Sequence, residues 1–585
     1  MHGGQEIMFK ISKRGLAAII AAVLIIVGFC MAKYAESGAG AVDVRRTEFL
    51  TSDGHRMSAK LYIPKNATAE TPAPAILAAP GGNANLENLS DPCIELSRRG
   101  FVVMAFDPYT IGRSDSVDAP GNGAREAMKY MRSLAFVDNE NIGAFGHSAG
   151  TGRVRWAVTD DPEQKHVAEG IKAVFYLAAG EFNLEDVNHG IFIGSWDNTY
   201  PAGGAHLSAR KLDTAENFTT ALGVDKIEFG KWYGDLAEGN ARVFYTGNSG
   251  HPSALVLPQP ILIMTDFFSQ ALHAPVLEAK GLIYPWKEVG TALGIMGILM
   301  MMFPVLSILF ELPFFGSIKR PMPEPVSGVN APFLFYFIMP AVVNTLLCQW
   351  AIYNGQNILG RFNRVLRINN TNGFIFWFAC SAALTVLILA VRFKWDGTID
   401  KERILTHAKT TWPNFFKSLL LGGMAVGVVF GLTYLAEVLF GLAPRIWKVQ
   451  LNTLDARRIG AFLTYFPLYL LLFGVFNFSQ TIGLKIRGQS EARFTFLVWL
   501  TSTIPSAAFL ICAYGKLWIT GYTAITNVQM SRANGTLLNT ILTYFITCKV
   551  TTFCYKKTGG YHTGAVINAI LMTWTAVAAD IILAV

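Results

Sequence analysis

The chain reads as two structures in series: a doubly wound, mostly parallel α/β sheet, then an all-α polytopic transmembrane helical domain. Three observations predict this. The 585 residues are 52% hydrophobic with a mean hydropathy of +0.35, too apolar for a purely soluble chain. The apolar runs are unevenly placed, with GLAAIIAAVLIIVGFCMA near the N-terminus, a long stretch of ordinary globular composition, then apolar segments from residue 286 onward. Inside the globular stretch, short runs rich in Val, Ile and Phe alternate with helix-like segments, the pattern of a parallel sheet covered on both faces.

A bilayer span needs about 20 apolar residues in a helix. Candidate spans lie at 15–33, 288–310, 331–352, 373–391, 417–440, 459–476, 494–514, 535–554 and 563–583. The stretch 535–554 carries Lys549 and several Thr and Asn residues, costly in lipid unless they face the bundle interior. The expected organisation is a cytoplasmic N-terminus 1–14, a transmembrane helix 15–33, an extracytoplasmic region 34–285 with its core at 44–278, and a membrane domain 286–585 with about eight spans. Lys10, Lys13 and Arg14 precede the first span and place the N-terminus inside a cell membrane. Alternation then puts Lys319, Arg320, Lys485, Arg487, Arg493, Lys556 and Lys557 on the cytoplasmic side. It also puts Arg361, Arg364, Arg367, Arg445, Lys448, Arg457 and Arg458 outside, against the rule. The first segment also reads as a cleavable signal peptide before AESGAGA, and on either reading the globular region is exported.

Basic cytoplasmic loops account for the net charge of +8 without nucleic acid, and no basic run is interleaved with aromatics. Of seven cysteines, only Cys93 lies in the globular region, so no disulfide framework is expected there. No Cys or His cluster has zinc spacing, and no metal or cofactor is expected.

The apolar runs are APAILAA, FVVMAF, NIGAF, IKAVFYLAA, GIFIGS and ARVFYT. Between them, LENLSDPCIELSRRG and GAREAMKYMRSLA have the apolar spacing of amphipathic helices. Ligands of such sheets bind at the carboxyl ends of the strands. NIGAFGHSAGTGRVRWA, residues 141–157, places Ser148 at such an end, before a helix-like stretch. G-x-S-x-G is a weak pattern alone, but in a strand–turn–helix context it holds a serine hydroxyl out as a nucleophile.

These residues carry a resemblance. The region 44–278 resembles an α/β-hydrolase, nearest in style to the dienelactone-hydrolase and prolyl-oligopeptidase branches. VDNENIGAFGHSAGTG resembles the family's strand and nucleophile turn, FDPYTIGRSD its turn after the preceding strand, and LAAPGGNAN its oxyanion loop. Pro80 stands where many relatives have histidine, and Thr110 where the D-x-x-G-x-G-x-S turn has its first glycine. The resemblance covers under half of the chain.

The family's order of serine, acid, histidine implies roles for later residues. GIFIGSWDNTYP runs a strand into Asp197, the expected acid, with Glu181 or Glu185 as substitutes. ARVFYTGNSGHPSAL runs a strand into His251, the expected base, with His189 and His206 as rivals, and LPQPILIMTDFFSQAL resembles the closing helix. Asp197 and His251 stand further apart than is usual, which implies an insertion around 205–241 that shapes the pocket. The expected oxyanion donors are the N–H groups of Ala149 and of Gly82 or Asn83, each worth roughly 3 to 4 kcal/mol of transition-state stabilisation. Gly81 and Gly82 also suit a plain tight turn. Tyr109, Trp196 and Tyr200 are expected to form an aromatic substrate-binding wall.

In the membrane half, Asn344, Gln349, Glu437, Gln480, Asn568 and Asp580 are polar candidates for function, against the plainer reading that such side chains bond packed helices together. TGGYHTGAVINAIL, residues 558–571, resembles the last helices of CAAX-type intramembrane proteases, but the glutamate pair and arginine of those enzymes are not in it. The expected activity is that of a membrane-tethered serine hydrolase acting on a small-molecule or lipid ester, with thioester and amide as variants, in contact with membrane lipid. A transporter or lipid-handling protein with a cargo-trimming outer domain, and a catalytically silent receptor, are the alternatives.

Overall fold

The computed structural model describes residues 12–82, 84–160, 163–200, 207–272, 279–325, 328–396, 401–446, 449–525, 528–579 and 582. After helix α1 (Lys13–Glu36), the sheet region runs β1 (Val42–Leu50), β2 (Arg56–Pro64), β3 (Ala73–Ala79), α2 (Ser90–Arg98), β4 (Val102–Phe106), α3 (Ala124–Arg132), β5 (Val137–His147), α4 (Gly150–Val158), β6 (Ile171–Leu177), β7 (Asn188–Gly194), α5 (Glu216–Leu222), β8 (Trp232–Tyr233), β9 (Arg242–Gly247) and α6 (Pro258–Ala271). The strands make one sheet in the order β1-β2-β4-β3-β5-β6-β7-β9-β8. The centre from β4 to β9 is parallel, and β1, β2 and β8 join antiparallel.

Because helices cover both faces, β3, β4 and β7 are buried throughout, as are residues 141–147 of β5 and 173–177 of β6, and these stretches read as apolar runs. Alternation divides their side chains. Ala75 and Leu77 of β3 share a core with Met128 and Met131 of α3 and Val154 of α4. Ile76 and Ala78 share the other with Ile94 of α2 and Phe267 and Phe268 of α6.

The hairpin β1–β2 is absent from the apolar runs of the sequence for a physical reason. Lys60 interrupts β2 in the sequence, yet its side chain is 2% exposed. Its Nζ lies 2.6 Å from Glu36 Oε1 and 3.1 Å from Glu87 Oε2, and Arg46 also pairs with Glu87. A buried ammonium is tolerable only with such partners. Burial alone would raise the Glu87 carboxyl, but Lys60 and Arg46 outweigh it and hold the group at about 2.

The remaining helices are α7 (Tyr284–Leu309), α8 (Ala331–Leu359), α9 (Asn369–Asp396), α10 (Lys401–Ala408), α11 (Trp412–Phe440), α12 (Ala456–Leu484), α13 (Glu491–Thr520), α14 (Val528–Thr558) and α15 (His562–Ala579), with a two-stranded pair β10 (Arg445–Ile446) and β11 (Val449–Gln450) before α12. Among the described residues, eight helices are long and apolar enough to cross a membrane: α1, α7, α8, α9, α11, α12, α13 and α14. The chain is a multi-pass membrane protein by this measure. The stretch predicted as the last span is α15, short and largely buried, with Ile567, Asn568, Ala569, Thr573 and Val577 fully enclosed. Lys549 of α14 is neutralised by Glu491, 2.6 Å away.

Helix α1 packs tightly on α7. A Cβ on Gly28 would strike the backbone of Gly290 and Gly294, and one on Gly297 the carbonyl of Ala21. Small residues permit this approach where lipid offers no hydrophobic drive. The polar candidates largely bond helices together: Asn344 accepts from Ser381 at 2.7 Å, Gln480 donates to Ser502 at 3.1 Å, and Asn568 donates to Thr551 at 2.9 Å. Asp580 lies outside the described residues.

The sheet region sits on one face of the bundle, and arginines that break the charge rule are spent there. Arg445 donates to the Glu87 carbonyl, Arg457 to Ser114 O and Ser116 Oγ, and Glu437 pairs with Arg113.

Candidate active site

Gly146 and Gly150 stand where the chain leaves β5 and enters α4. A Cβ on Gly146 would collide with the Gly150 backbone, and one on Gly150 with the Ala79 carbonyl. The G-x-S-x-G spacing therefore answers a steric demand: the turn closes only if both positions lack a side chain. Ser148, between them, has φ +55. That is the left-handed region, costly for a residue with a Cβ and characteristic of strained functional turns.

Three side chains distant in sequence converge here. Ser148 Oγ is 2.8 Å from His251 Nε2, and His251 Nδ1 is 2.7 Å from Asp197 Oδ2. A carboxylate only accepts, so Nδ1 carries the proton and Nε2 is left to accept from the serine. Asp197 is fully buried, and its Oδ1 accepts from the N–H groups of Thr199 at 2.8 Å and Tyr200 at 3.0 Å. Asp197 follows β7 and His251 follows β9, so register brings them together: Gly194 pairs with Gly247, and a Cβ on Gly194 would meet Ser249.

The loop after β3 lies against the serine, with an added Cβ on Gly81 within 3.3 Å of Ser148 Cβ. Gly82 lines the cavity in front of it. Ala149 is the N-cap of α4, whose first N–H groups have no partners within the helix and favour negative charge. Asn83 lies outside the described residues. Two residues the sequence reading passed over hold this geometry. Arg153 donates to Pro80 O at 2.5 Å and Gly81 O at 3.0 Å, and His147 Nε2 lies 2.9 Å from His251 O. The readable signal for Arg153 is a basic residue one turn into α4, the helix that follows Ser148.

Thr110 adopts φ +72, the conformation a glycine supplies at that turn in the resembling family. Gly112 follows at φ +56, where a Cβ would overlap the Asp107 carboxylate. Asp107 accepts from Leu86 N at 2.9 Å and Arg113 N at 3.0 Å, tying this turn to the segment that follows the loop after β3. Burial raises its carboxyl.

The substitutes for acid and base stand elsewhere. Glu181 accepts from Asn217 at 3.0 Å, and Glu185 lies 3.8 Å from His166. His189 is buried edge-on against Tyr176 and Phe182, and burial pushes it down to about 3. His206 is outside the described residues.

The expected aromatic wall is not where it was sought. Tyr109 is 3% exposed in the sheet core, its hydroxyl 3.3 Å from Thr51 Oγ1. Trp196 stacks on Trp518 of α13, with centroids 4.2 Å apart and rings 10° from parallel. Tyr200 is half-buried beside Asp197 and does not line the cavity. Residues 207–241 do not line it either. The start of this segment, residues 207–211, docks on α13 instead, with Ser208 N donating to Gly521 O at 2.8 Å and Arg210 5.0 Å over the Trp518 ring, while Leu212, Phe218 and Ile227 pack into the sheet core.

The cavity in front of Ser148 and His251 holds about 230 Å³ and continues past the sheet region into the bundle. Its aromatic lining is Phe374 and Phe378 of α9 and Tyr469 of α12, and α14 and α15 close it with Thr543, Ile546 and Met572.

A doubly wound sheet with a serine on a strained strand-to-helix turn, hydrogen-bonded to a histidine that in turn bonds an aspartate, both from later strand ends, is the arrangement of an α/β-hydrolase fold. No family model matches the chain. Part of it is 28% identical over 133 residues to uncharacterized protein PA2218 of Pseudomonas aeruginosa, covering 22% of this chain and 36% of that protein. It is 29% identical over 151 residues to uncharacterized protein YcjY of Escherichia coli, covering 24% and 45%. The chain thus spans less than half the length of the curated relatives it matches. Among solved structures, it is similar to Thermogutta terrifontis esterase 2 at 18% identity and TM-score 0.29, over 40% of this chain and 96% of that one. A Pyrobaculum calidifontis esterase is similar at 14% identity and TM-score 0.27, over 44% and 91%.

Proposed function

We propose that this protein is a membrane-anchored serine hydrolase that cleaves a carboxylic ester through an acyl-enzyme, with its hydrolase region on the extracytoplasmic side of the cell membrane. The observation that carries the reading is the unbroken chain from Asp197 through His251 to Ser148 Oγ. Ser148 Oγ attacks the ester carbonyl carbon while its proton passes to His251 Nε2, and the carbonyl electron pair moves onto oxygen beside the N–H groups of Ala149 and Gly82. Asp197 holds the imidazole in its Nδ1–H form and stabilises its charged state. Collapse breaks the bond to the alcohol, which leaves with the proton from His251. Water then attacks the acyl-serine with His251 again taking a proton, and the acid departs as Ser148 regains its hydrogen.

The topology is supported by Lys13 and Arg14 at the start of α1, at the opposite end of that helix from the sheet region. Fluorophosphonate labelling of the full-length protein tests the chemistry: wild type is labelled and Ser148→Ala is not. Labelling of intact cells by a membrane-impermeant form of the probe tests the orientation, and a signal seen only after lysis would refute it.

A further inference from the structure

Resting on that reading, we infer that the substrate is an ester with a long hydrocarbon tail, and that the tail is bound inside the transmembrane bundle between α9, α12, α14 and α15. The nucleophile does not face an open aqueous cleft alone. Its cavity is continuous from Gly82 and His251 to Phe374, Phe378, Tyr469 and Ile546, all borne by membrane helices. Trp196 and residues 207–211, which would be expected to wall a pocket for a soluble substrate, dock on α13, and residues 212–241 line no part of the cavity. What remains beside the serine is a slot whose far wall is the bundle.

The chemistry of that wall selects the occupant. Three of its hydroxyls are satisfied within their own helices: Thr540 donates to Leu537 O at 2.6 Å, Thr543 to Asn539 O at 3.0 Å, and Thr575 to Leu571 O at 3.0 Å. They therefore present methyl groups and offer little to a polar solute. An alkyl tail gains from such surroundings by about fourfold in affinity per buried methylene. A polar end is provided for as well, since Asn539 lines the same cavity and its buried Oδ1 accepts no hydrogen bond from any described residue. Behind Phe378 lies a second cavity of about 120 Å³, and that ring lines both. Phe378 is thus the floor that limits tail length.

The test uses the full-length protein in lipid nanodiscs. Two ester series are compared, one with a fixed aryl alcohol and acyl chains from acetyl to palmitoyl, the other with a fixed acetyl group and lengthening alcohols. In wild type, kcat/KM rises about fourfold per methylene in one series until the cavity is filled; which series rises says whether the tail belongs to the acid or the alcohol. Thr543→Phe, which removes a hydroxyl bonded only to its own helix and fills the slot, moves the maximum to shorter chains. Phe378→Ala opens the second cavity and moves it to longer ones. A flat profile in both series, or a maximum that neither variant shifts, would overturn the inference. Because Ser148 labelling is read separately, a flat profile with labelling intact refutes the tail site alone, whereas loss of labelling in wild type refutes the hydrolase reading beneath it.

Discussion

The sheet region and the bundle bury polar groups by opposite means. Beneath the sheet, full charges are gathered: Lys60, Glu36 and Glu87 form one buried cluster, joined at its edge by the partly exposed Arg46. Inside the bundle, beyond its ends, the buried groups are chiefly neutral and paired two by two, as in Asn344 with Ser381 and Ser506 with Thr540. A charge cluster depends on every member, because removing one leaves another ion uncompensated in low dielectric. A neutral pair loses little when cut, since the partner finds other groups along its own helix. The first arrangement concentrates its risk in a few residues, and the second spreads it.

The sharpest break in that comparison is at the convergent site. Ser148→Ala should lower ester turnover on the order of a millionfold, measured as kcat with thermal stability as a parallel reading. Next comes the charge cluster. Lys60→Met should destabilise the protein by roughly 3–5 kcal/mol in denaturant titration, and adding Glu36→Gln and Glu87→Gln should recover part of the loss. If Lys60→Met costs no more than a bundle hydroxyl, the contrast fails.

The third prediction concerns acid. His189 takes a proton near its ordinary 6.5 in the unfolded chain but only near 3 when folded. Below 6.5 the unfolded chain binds a proton that the folded one refuses, so stability falls as pH drops from 6.5 towards 3, by roughly 1.4 kcal/mol per pH unit at most. Glu87, held at about 2 against an ordinary 4.5, loses its contribution as pH falls from 4.5 towards 2. His189→Phe should flatten the stability profile between pH 6.5 and 4.5 and leave the lower limb. The smallest effect is expected in the bundle: Ser381→Ala removes one hydrogen bond to Asn344 and should cost about 0.6 kcal/mol by unfolding in mixed micelles.

Much of this architecture is legible in the sequence. Strands β3 to β7 and β9 stood out because each carries a short apolar run where it crosses the buried centre of the sheet. The turn at Ser148 stood out because two backbone collisions require glycine on either side of it. The hairpin β1–β2 did not stand out, since Lys60 belongs inside only when Glu36 and Glu87 arrive from elsewhere. Arg445 and Arg457, which broke the expected charge asymmetry, make sense only once the Glu87 carbonyl and Ser114 are seen across from them. The aromatic wall was sought among Tyr109, Trp196 and Tyr200 because those lie near the site in sequence. Chain proximity does not say which way a ring turns, and Trp196 turned to Trp518.

By itself the sequence determined the two-part composition and the period of each element, because these follow from local sterics and from which residues water rejects; the order of serine, aspartate and histidine was only what the family resemblance implied. Only the tertiary structure decided what those residues face. Strand register brought His251 to Ser148, and the docking of the sheet on the bundle joined a cavity whose walls come from helices hundreds of residues downstream. Contacts of that range depend on packing between surfaces, which no local pattern encodes.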